Sequence, residues 1–576
     1  MPESTTAPTA SYDLLTEPWI PVHDGTRPGR VGIREALLRS HELWLAAPNT
    51  GEIVLLRLLA AVYGAAAAPA TEEEWDTAWR APELDEDRIT AYLNTWSRRF
   101  DLYDTTHPFL QCAELTTASH GPAILNIAAR GSAGGVHTDA RLARGEDNHP
   151  AWEPAHAALA LLTVLGFDTA GVKRAVPGDP AARGNKIYGS RNGPLGVTTH
   201  AHIDTGGPLK ELLLLATPPG ARQAGDMPAW ERPSPSAPSR KRAADGRLDR
   251  LTWPSRRVRL LPDDEGKVAR VAFYVGDQPE DRFPDIARLD PMTAWHRKTA
   301  SKPAPLHTID VTSWPVPWMP ALTLGTGWSC HVVDHVVAAA ERGVLDRGAH
   351  VRVVLSQTLH NDRYGSVIND ITITSALLGT AGALADHGLR EKILAGAHLA
   401  NDLPYKLSAQ TAELTGLPLD QVRPRMTLSE LEMEWEEFLL GLTDDTDQAT
   451  DQWRQALAGL ASKRIAAFPR TPPHVRQQLH DRIPHILDYL QHALAGPPHD
   501  DAPEPPEGTA PGSNVTASLP GRKPQLYEAF GQMLTLRQIA DHPECKVGYH
   551  TLRNRIVKQG MTPEQAARTP SQRSQN

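Results

Sequence analysis

The sequence predicts an α+β protein built from an irregular mixed N-terminal domain over residues 1–369, an antiparallel four-helix bundle over 370–495, a disordered linker over 496–520, and a small all-α helix-turn-helix-like domain over 521–576. Three observations predict it. Strand-like and helical runs mix through the first part without a βαβ rhythm. From Asp370 to Leu494 nearly every segment carries apolar residues at three- and four-residue steps. A Pro- and acid-rich stretch then separates this region from a short C-terminal one. At 576 residues the chain exceeds a single core, and about 150 residues per domain gives roughly three or four units.

The run Leu14-Leu15-Thr16-Glu17-Pro18-Trp19-Ile20-Pro21-Val22 is extended and apolar, and residues 33–66 continue it with helical spacing. A strand, a turn and two buried helices follow from that pattern. Residues 250–261, 268–277 and 350–359 read as strands. Between them, Ala221–Gly246 is rich in Pro, Ser and Arg without periodicity, so an exposed loop is expected. The four bundle helices are expected in 374–401, 427–442, 444–468 and 471–494, with starts marked by Thr427-Leu428-Ser429-Glu430 and Thr471-Pro472-Pro473. The segment 496–520 holds too little apolar surface to offset the entropy of ordering it. Beyond it a helix is expected from Thr535, a turn at His542-Pro543, a second helix near Tyr549 and a third capped by Thr562.

Composition excludes several classes. No run approaches the ~20 apolar residues of a membrane helix, and the N-terminus lacks a basic region before an apolar one, so a cytoplasmic protein without a membrane partner is expected. Cys112, Cys330 and Cys545 are single and far apart, which writes neither a disulfide framework nor a zinc knuckle; the first two are expected buried. Phosphate-loop, zinc-helix, nucleophile-elbow and dinucleotide signatures are missing. His200/His202 and His331/His335 come without partners at metal-ligand spacing. No catalytic residue, metal or cofactor is expected. Net charge is −9, yet Gly521–Arg568 holds eight Lys/Arg against four Asp/Glu, so the total does not exclude DNA contact.

Four segments carry candidate binding residues. Residues 178–193 place Gly178, Gly184, Gly189 and Gly193 among basic and amide side chains, which suits close backbone approach to a partner and equally suits a plain surface turn. The turn 360–370 contains Tyr364-Gly365, a stacking wedge or a tyrosine packed on the bundle. Residues 251–260 and 290–298 interleave Trp with Arg and Lys, including Arg256, Arg257 and Lys298; groove contact and a half-exposed strand give the same pattern. Residues 533–569 present His550, Arg553, Asn554, Arg555 and Lys558 on the second helix, either to DNA or to a protein.

The run Tyr12–Val22, with Phe100-Asp101-Leu102-Tyr103 and His107-Pro108-Phe109-Leu110-Gln111, resembles the CasA family, the large subunit of the type I-E CRISPR Cascade surveillance complex. The resemblance covers roughly residues 12–495 and also implies a helical bundle after the mixed domain. It implies a non-catalytic subunit that recognises the motif flanking the target, promotes strand separation and R-loop formation, and helps recruit the helicase-nuclease, while guide-RNA pairing reads the target itself. The implied partners are the other Cascade subunits, CRISPR RNA, double-stranded target DNA and the CRISPR helicase-nuclease. In that family a glycine-rich loop enters the minor groove of the flanking duplex, and Gly184-Asn185-Lys186 match its place. The groove is only about 6 Å wide, which favours glycine. A glutamine-containing wedge is usual where this chain has Tyr364-Gly365, a departure from the pattern, and Arg282 and Lys298 are candidates for the family's basic finger. Some relatives carry paired zinc cysteines that this chain lacks. A DNA-binding transcriptional regulator with a large sensory N-terminal region, or an enzyme with an unrecognised site, remain the alternatives from other classes.

Overall fold

A computed structural model describes residues 10–126, 150–280, 289–299, 302–304, 318–360, 368–495 and 526–569, isolated positions within those spans aside. It divides into two compact units, Met1–Pro497 and Pro498–Asn576.

The first unit opens as its sequence predicts. Strand β1 (Ile20–His23) pairs antiparallel with β2 (Pro28–Val31) and β3 (Trp44–Leu45), and helix Ile33–Leu38 leads to α1 (Thr50–Ala66). Helix α1 is apolar on all sides and buried on all sides, as such a helix must be. Its one buried charge, Arg57, lies 2.8 Å from the buried carboxylate of Asp290. Burial pushes Asp290 up, but the Arg57 guanidinium outweighs it and holds the carboxyl at about 2. Helix α2 (Pro154–Phe167) starts on a proline, whose fixed φ suits a first helical position, and packs against α1.

Two hairpins follow. Strands β4 (Gly171–Arg174) and β5 (Lys186–Ser190) form one. Strand β6 (Thr199–Asp204) enters the main sheet, and α3 (Leu209–Ala216) packs on it. Strand β7 (Lys241–Arg242) closes the Pro/Ser/Arg stretch. Strands β8 (Arg256–Pro262) and β9 (Val268–Val275) form the second hairpin, and β10 (Gln278–Pro279) runs parallel to β7. The main sheet is completed by β11 (Thr293–Thr299), β12 (Lys302–Ala304), β13 (Trp328–Ser329), β14 (His350–His360) and β15 (Ile368–Thr380), with helix α4 (His331–Glu341) between β13 and β14. Its order is β12-β11-β6-β14-β15, with β13 also on β11. Every pairing among the described strands is antiparallel except β7 with β10, consistent with an α+β chain lacking crossover units.

Two expectations are corrected here. The Ala221–Gly246 stretch is not merely an exposed loop but a packed strap: Trp230 is 3% exposed and stacks near Phe100 and Phe109, and Asp226 accepts from the Leu248 and Asp249 amides. The helical region begins at Ala381 rather than Asp370, because β15 pairs with β14 through Thr380 and so crosses the expected boundary. The run Ser375–Gly379 is mostly apolar and continuous, a pattern that periodicity cannot assign between buried strand and buried helix.

Four long helices follow: α5 (His387–Thr415), α6 (Glu432–Gly441), α7 (Thr446–Ala467) and α8 (Pro473–Ala495). Asp386 caps α5 through the Leu389 amide, and Asp445 caps α7 through that of Gln448. Pro473 opens α8 as expected, whereas α6 starts at Glu432 without a side-chain cap. Trp435, Phe438 and Trp453 pack between the helices, and Trp318, outside them, joins this cluster 5.9 Å from Trp453. The Arg352–Glu436 ion pair and the contact of α6 with β15 tie the helices to the sheet, so sheet and helices share one core.

The C-terminal unit is not all-α. Strands β16 (Leu526–Ala529) and β17 (Gln532–Thr535) form a hairpin that precedes α9 (Leu536–Ala540), and α10 (Pro563–Arg568) follows. Thr562 caps α10 through the Gln565 amide, as its sequence predicts. Ala529, Ile539, Val547, Leu552, Ala566 and Ala567 make the core. The linker expected at 496–520 lies outside the described residues.

Candidate nucleic-acid interface

Among the candidate segments, the β4–β5 hairpin has the most complete geometry. The connection between its strands, residues 175–185, ends in a tip formed by the four-residue turn Arg183-Gly184-Asn185-Lys186, whose last residue opens β5. The Arg183 amide donates to the Lys186 carbonyl at 2.8 Å, and both central residues have positive φ, 56° at Gly184 and 59° at Asn185. That is the type I′ geometry of a tight hairpin, and Gly and Asn are the residues that tolerate it. All four are exposed, and a Cβ on Gly184 would meet nothing within 4 Å. The backbone at the tip is therefore open to a partner.

The hairpin's base is fixed by buried polar groups. The guanidinium of Arg256, 1% exposed, pairs with the fully buried Asp168 and donates to the carbonyls of Ser255 (2.6 Å), Thr169 (2.7 Å) and Arg191 (3.1 Å). Lys173 on β4 adds a second cation 3.2 Å from Asp168. Gln278 Oε1 accepts from the Arg191 amide at 2.6 Å. Between the strands, Asp179 accepts from the Ala181 amide and from both the amide and hydroxyl of Ser239 in the strap, each at 2.9 Å. Ile187 points inward against Ala175 and Val275.

Arg256 and Arg257 are thereby corrected as nucleic-acid contacts. Arg257, also 1% exposed, donates to the Ser236 carbonyl at 2.7 Å and pairs with Asp277. Their guanidinium groups are engaged inside the protein: the strap covers Arg257, and the ends of the β4–β5 hairpin cover Arg256. Trp253 beside them is buried, with Arg242 4.0 Å above its ring.

Most of the other candidates lie outside the described residues. Tyr364 and Gly365 lie outside the described residues, in the connection between β14 and β15; so does Arg282. Lys298 lies on β11, its side chain outside the described residues. In the C-terminal unit His550, Arg553, Asn554 and Lys558 lie outside them too, while Arg555 is described: its Nη1 donates to the carbonyls of Ala566 (3.0 Å) and Thr569. That bond satisfies carbonyls at the end of α10, a structural role where a DNA contact is expected.

Burial pushes the Cys112 thiol up and that of Cys330 to about 12, so neither presents a thiolate near neutral pH. His200 is driven well below its ordinary value, by burial first and by neighbouring His202 second. Among the described residues no group of three His, Cys, Asp or Glu side chains is placed to hold a metal ion. No helix among them is long and apolar enough to cross a membrane.

Sequence reasoning missed part of the surface. From Thr169 to Val197 the chain carries five basic residues (Lys173, Arg174, Arg183, Lys186, Arg191) against one acidic residue, the buried Asp179. A local charge count would have found it.

With this geometry in place, comparison with known proteins is specific. A family model described as CRISPR-associated protein Cse1 matches residues 13–463. The CRISPR-associated protein CasA/Cse1 of Thermus thermophilus is 34% identical over 295 residues, 49% of this chain. The chain spans about half of that relative's length, 54%. The crystal structure of Thermobifida fusca Cse1 superposes with a TM-score of 0.69 at 24% identity, covering 84% of this chain and 98% of that one. A chain of a structure titled CRISPR RNA-guided surveillance complex superposes at 0.62 and 18% identity, covering 84% of this chain and 100% of that one. The C-terminal unit lies beyond the family match.

Proposed function

The chain belongs to the CRISPR-associated Cse1 family, and from that membership we propose that it is the non-catalytic large subunit of a type I-E Cascade. In this reading it assembles with CRISPR RNA and the other Cascade subunits. It recognises the short motif flanking the target in duplex DNA, promotes strand separation and R-loop formation, and helps recruit the helicase-nuclease. The observation that carries DNA recognition is the exposed Gly184-Asn185 tip on a basic hairpin whose base is held by buried polar groups. A Cβ-free residue at a tight turn lets backbone amides approach a narrow groove, and the surrounding cations offset phosphate repulsion.

Tyr364-Gly365 is proposed as the strand-separating wedge, with an aromatic face in place of an amide. The helices α5–α8 are read as a four-helix bundle that contacts displaced DNA and neighbouring subunits. The C-terminal unit is read as an accessory DNA-binding module acting through His550, Arg553, Asn554 and Lys558, tethered by residues 496–520; its local excess of basic residues over acidic ones supports this.

Affinity purification of the full chain from its native host tests the proposal. Co-purification with a defined CRISPR RNA and several other subunits is expected. A dimer free of RNA would replace the reading by the regulator alternative.

A further inference from the structure

The reading of the hairpin as a duplex-binding element accounts for its cations but not for its apolar surface. Tyr188 on β5 is 61% exposed and Val172 on β4 is 55% exposed, although both sit in a well-formed hairpin. Ile187 faces inward; Lys186 and Tyr188, two positions apart on β5, both face outward. Val172 falls at the irregularity between the Gly171↔Ser190 and Lys173↔Ile187 pairs, opposite Tyr188 and Gly189. An aromatic ring and a β-branched side chain are therefore presented side by side, next to the basic tip. The span 169–197 adds Arg183, Lys186 and Arg191 as exposed cations, while its single carboxylate, Asp179, is buried and engaged by Ser239.

Apolar side chains in a span whose exposed charges are all cations match a surface that is anionic along its rims and apolar between them. The groove of duplex DNA has that chemistry: phosphates line its edges, and sugar and base carbons line its walls. We propose that Tyr188, supported by Val172, is a DNA-contacting residue that packs against the groove wall beside the Gly184-Asn185 tip, so that the hairpin reads groove shape as well as charge. This inference rests on the reading of the hairpin as the flanking-duplex reader. Apolar side chains that contact groove walls contribute affinity that does not depend on counterion release, unlike lysine and arginine contacts to phosphate.

That difference supplies the test. The complete complex, assembled with its CRISPR RNA, is titrated with duplex target carrying the correct flank over a range of salt concentrations, for wild type, Tyr188→Ser, Tyr188→Phe and Lys186→Ala. Tyr188→Ser is expected to weaken binding about tenfold, as loss of an aromatic contact to a nucleic acid does, with an unchanged salt slope and an unchanged melting temperature; Tyr188→Phe restores affinity. Lys186→Ala is expected to reduce the salt slope by about one. Wild-type affinity for Tyr188→Ser together with a reduced slope for Lys186→Ala overturns the Tyr188 contact and leaves the hairpin reading standing. No change in either variant overturns the hairpin reading itself. Loss of the chain from the assembled complex in Tyr188→Ser overturns the DNA contact in favour of a protein partner at this face.

Discussion

Arg256 sits beneath the β4–β5 hairpin with its guanidinium paired to Asp168, and the same group holds the Thr169 carbonyl at one end of the hairpin and that of Arg191 at the other. One buried cation thus closes both ends of an exposed element. Replacing Arg256 by Met removes this guanidinium from the buried Asp168. A loss of about 3 kcal/mol is expected, in line with breaking a buried pair from one side. Urea denaturation of Arg256→Met and of the double variant Arg256→Met/Asp168→Leu checks it: the double variant should recover part of the loss.

The tip responds to backbone conformation before contact. Gly184 has open space around its missing Cβ, so Gly184→Val meets no clash, only the left-handed φ of 56°. About 1–2 kcal/mol of local strain is expected, enough to shift the turn without unfolding the protein. Binding to target with the correct flank should weaken while the melting temperature moves little. Affinity equal to wild type in a titration of the assembled complex would count against the tip as a groove reader.

In the helical region Gly396 is fixed by contact. A Cβ there would fall 2.6 Å from Cε1 of Phe438 and 3.4 Å from Trp435, while the Gly396 carbonyl accepts from Trp453 Nε1 at 3.1 Å. Gly396→Ala overpacks this cluster, and about 1–3 kcal/mol of destabilisation is expected despite alanine's higher helix propensity. Thermal unfolding measures it; a stabilised variant would mean that Phe438 has room to turn.

The protein's stability should fall in mild acid. Burial holds His335 at about 4, the Arg342 and Arg247 charges adding to the effect, and its ring packs edge-on against Trp75. The unfolded chain protonates this histidine near 6.5. Stability is therefore full above that pH and declines as pH drops toward 4, because the unfolded state binds the proton first; below 4 the folded state binds it too and the slope vanishes. The window corresponds to about 3 kcal/mol. His335→Phe should flatten the dependence of unfolding free energy on pH between 6.5 and 4, with His200 supplying the remainder in the same direction.

Arg555 separates structure from binding in the C-terminal unit. Because its guanidinium holds the Ala566 and Thr569 carbonyls, Arg555→Ala should loosen α10 and raise amide exchange at 563–569 in the full chain by about tenfold, the equivalent of one charged hydrogen bond. Arg553→Ala should leave that exchange unchanged and weaken DNA binding alone. Equal effects of the two on exchange would place both residues in the fold.

The extended run through Ile20 and Val22, the threonine cap before α10 and the proline opening α8 were all readable because each is local: a few neighbouring residues decide it. The turn at Gly184-Asn185 was readable for the same reason. Arg256 and Arg257 were not, since whether an arginine on a strand faces water depends on what covers the strand. Arg256 is covered by the ends of the β4–β5 hairpin and Arg257 by the strap, whose Pro and Ser content looks like a linker until Trp230, Ser236 and Ser239 find partners more than twenty positions distant or across a hairpin. Strand β15 was misread because a continuous apolar run suits a buried strand and a buried helix alike, and only pairing with β14 decides between them. Tyr188 escaped attention because an exposed tyrosine is visible only once its strand's inward face is known.

The strap's polar bonds bear on engineering. Arg257 bridges Ser236 to Asp277, Arg242 bridges Asp277 to Asp249, and Asp179 is held by Ser239. Three stretches distant in sequence, 168–191, 226–249 and 254–278, therefore behave as one transplantable module. Exchanging the β4–β5 hairpin alone between members of the family would carry the tip into a foreign socket, with Asp168 or Asp179 facing mismatched neighbours. Exchanging the three stretches together would move the tip with its own foundation, and that is the unit in which the proposed DNA preference would be swapped from one chain to another.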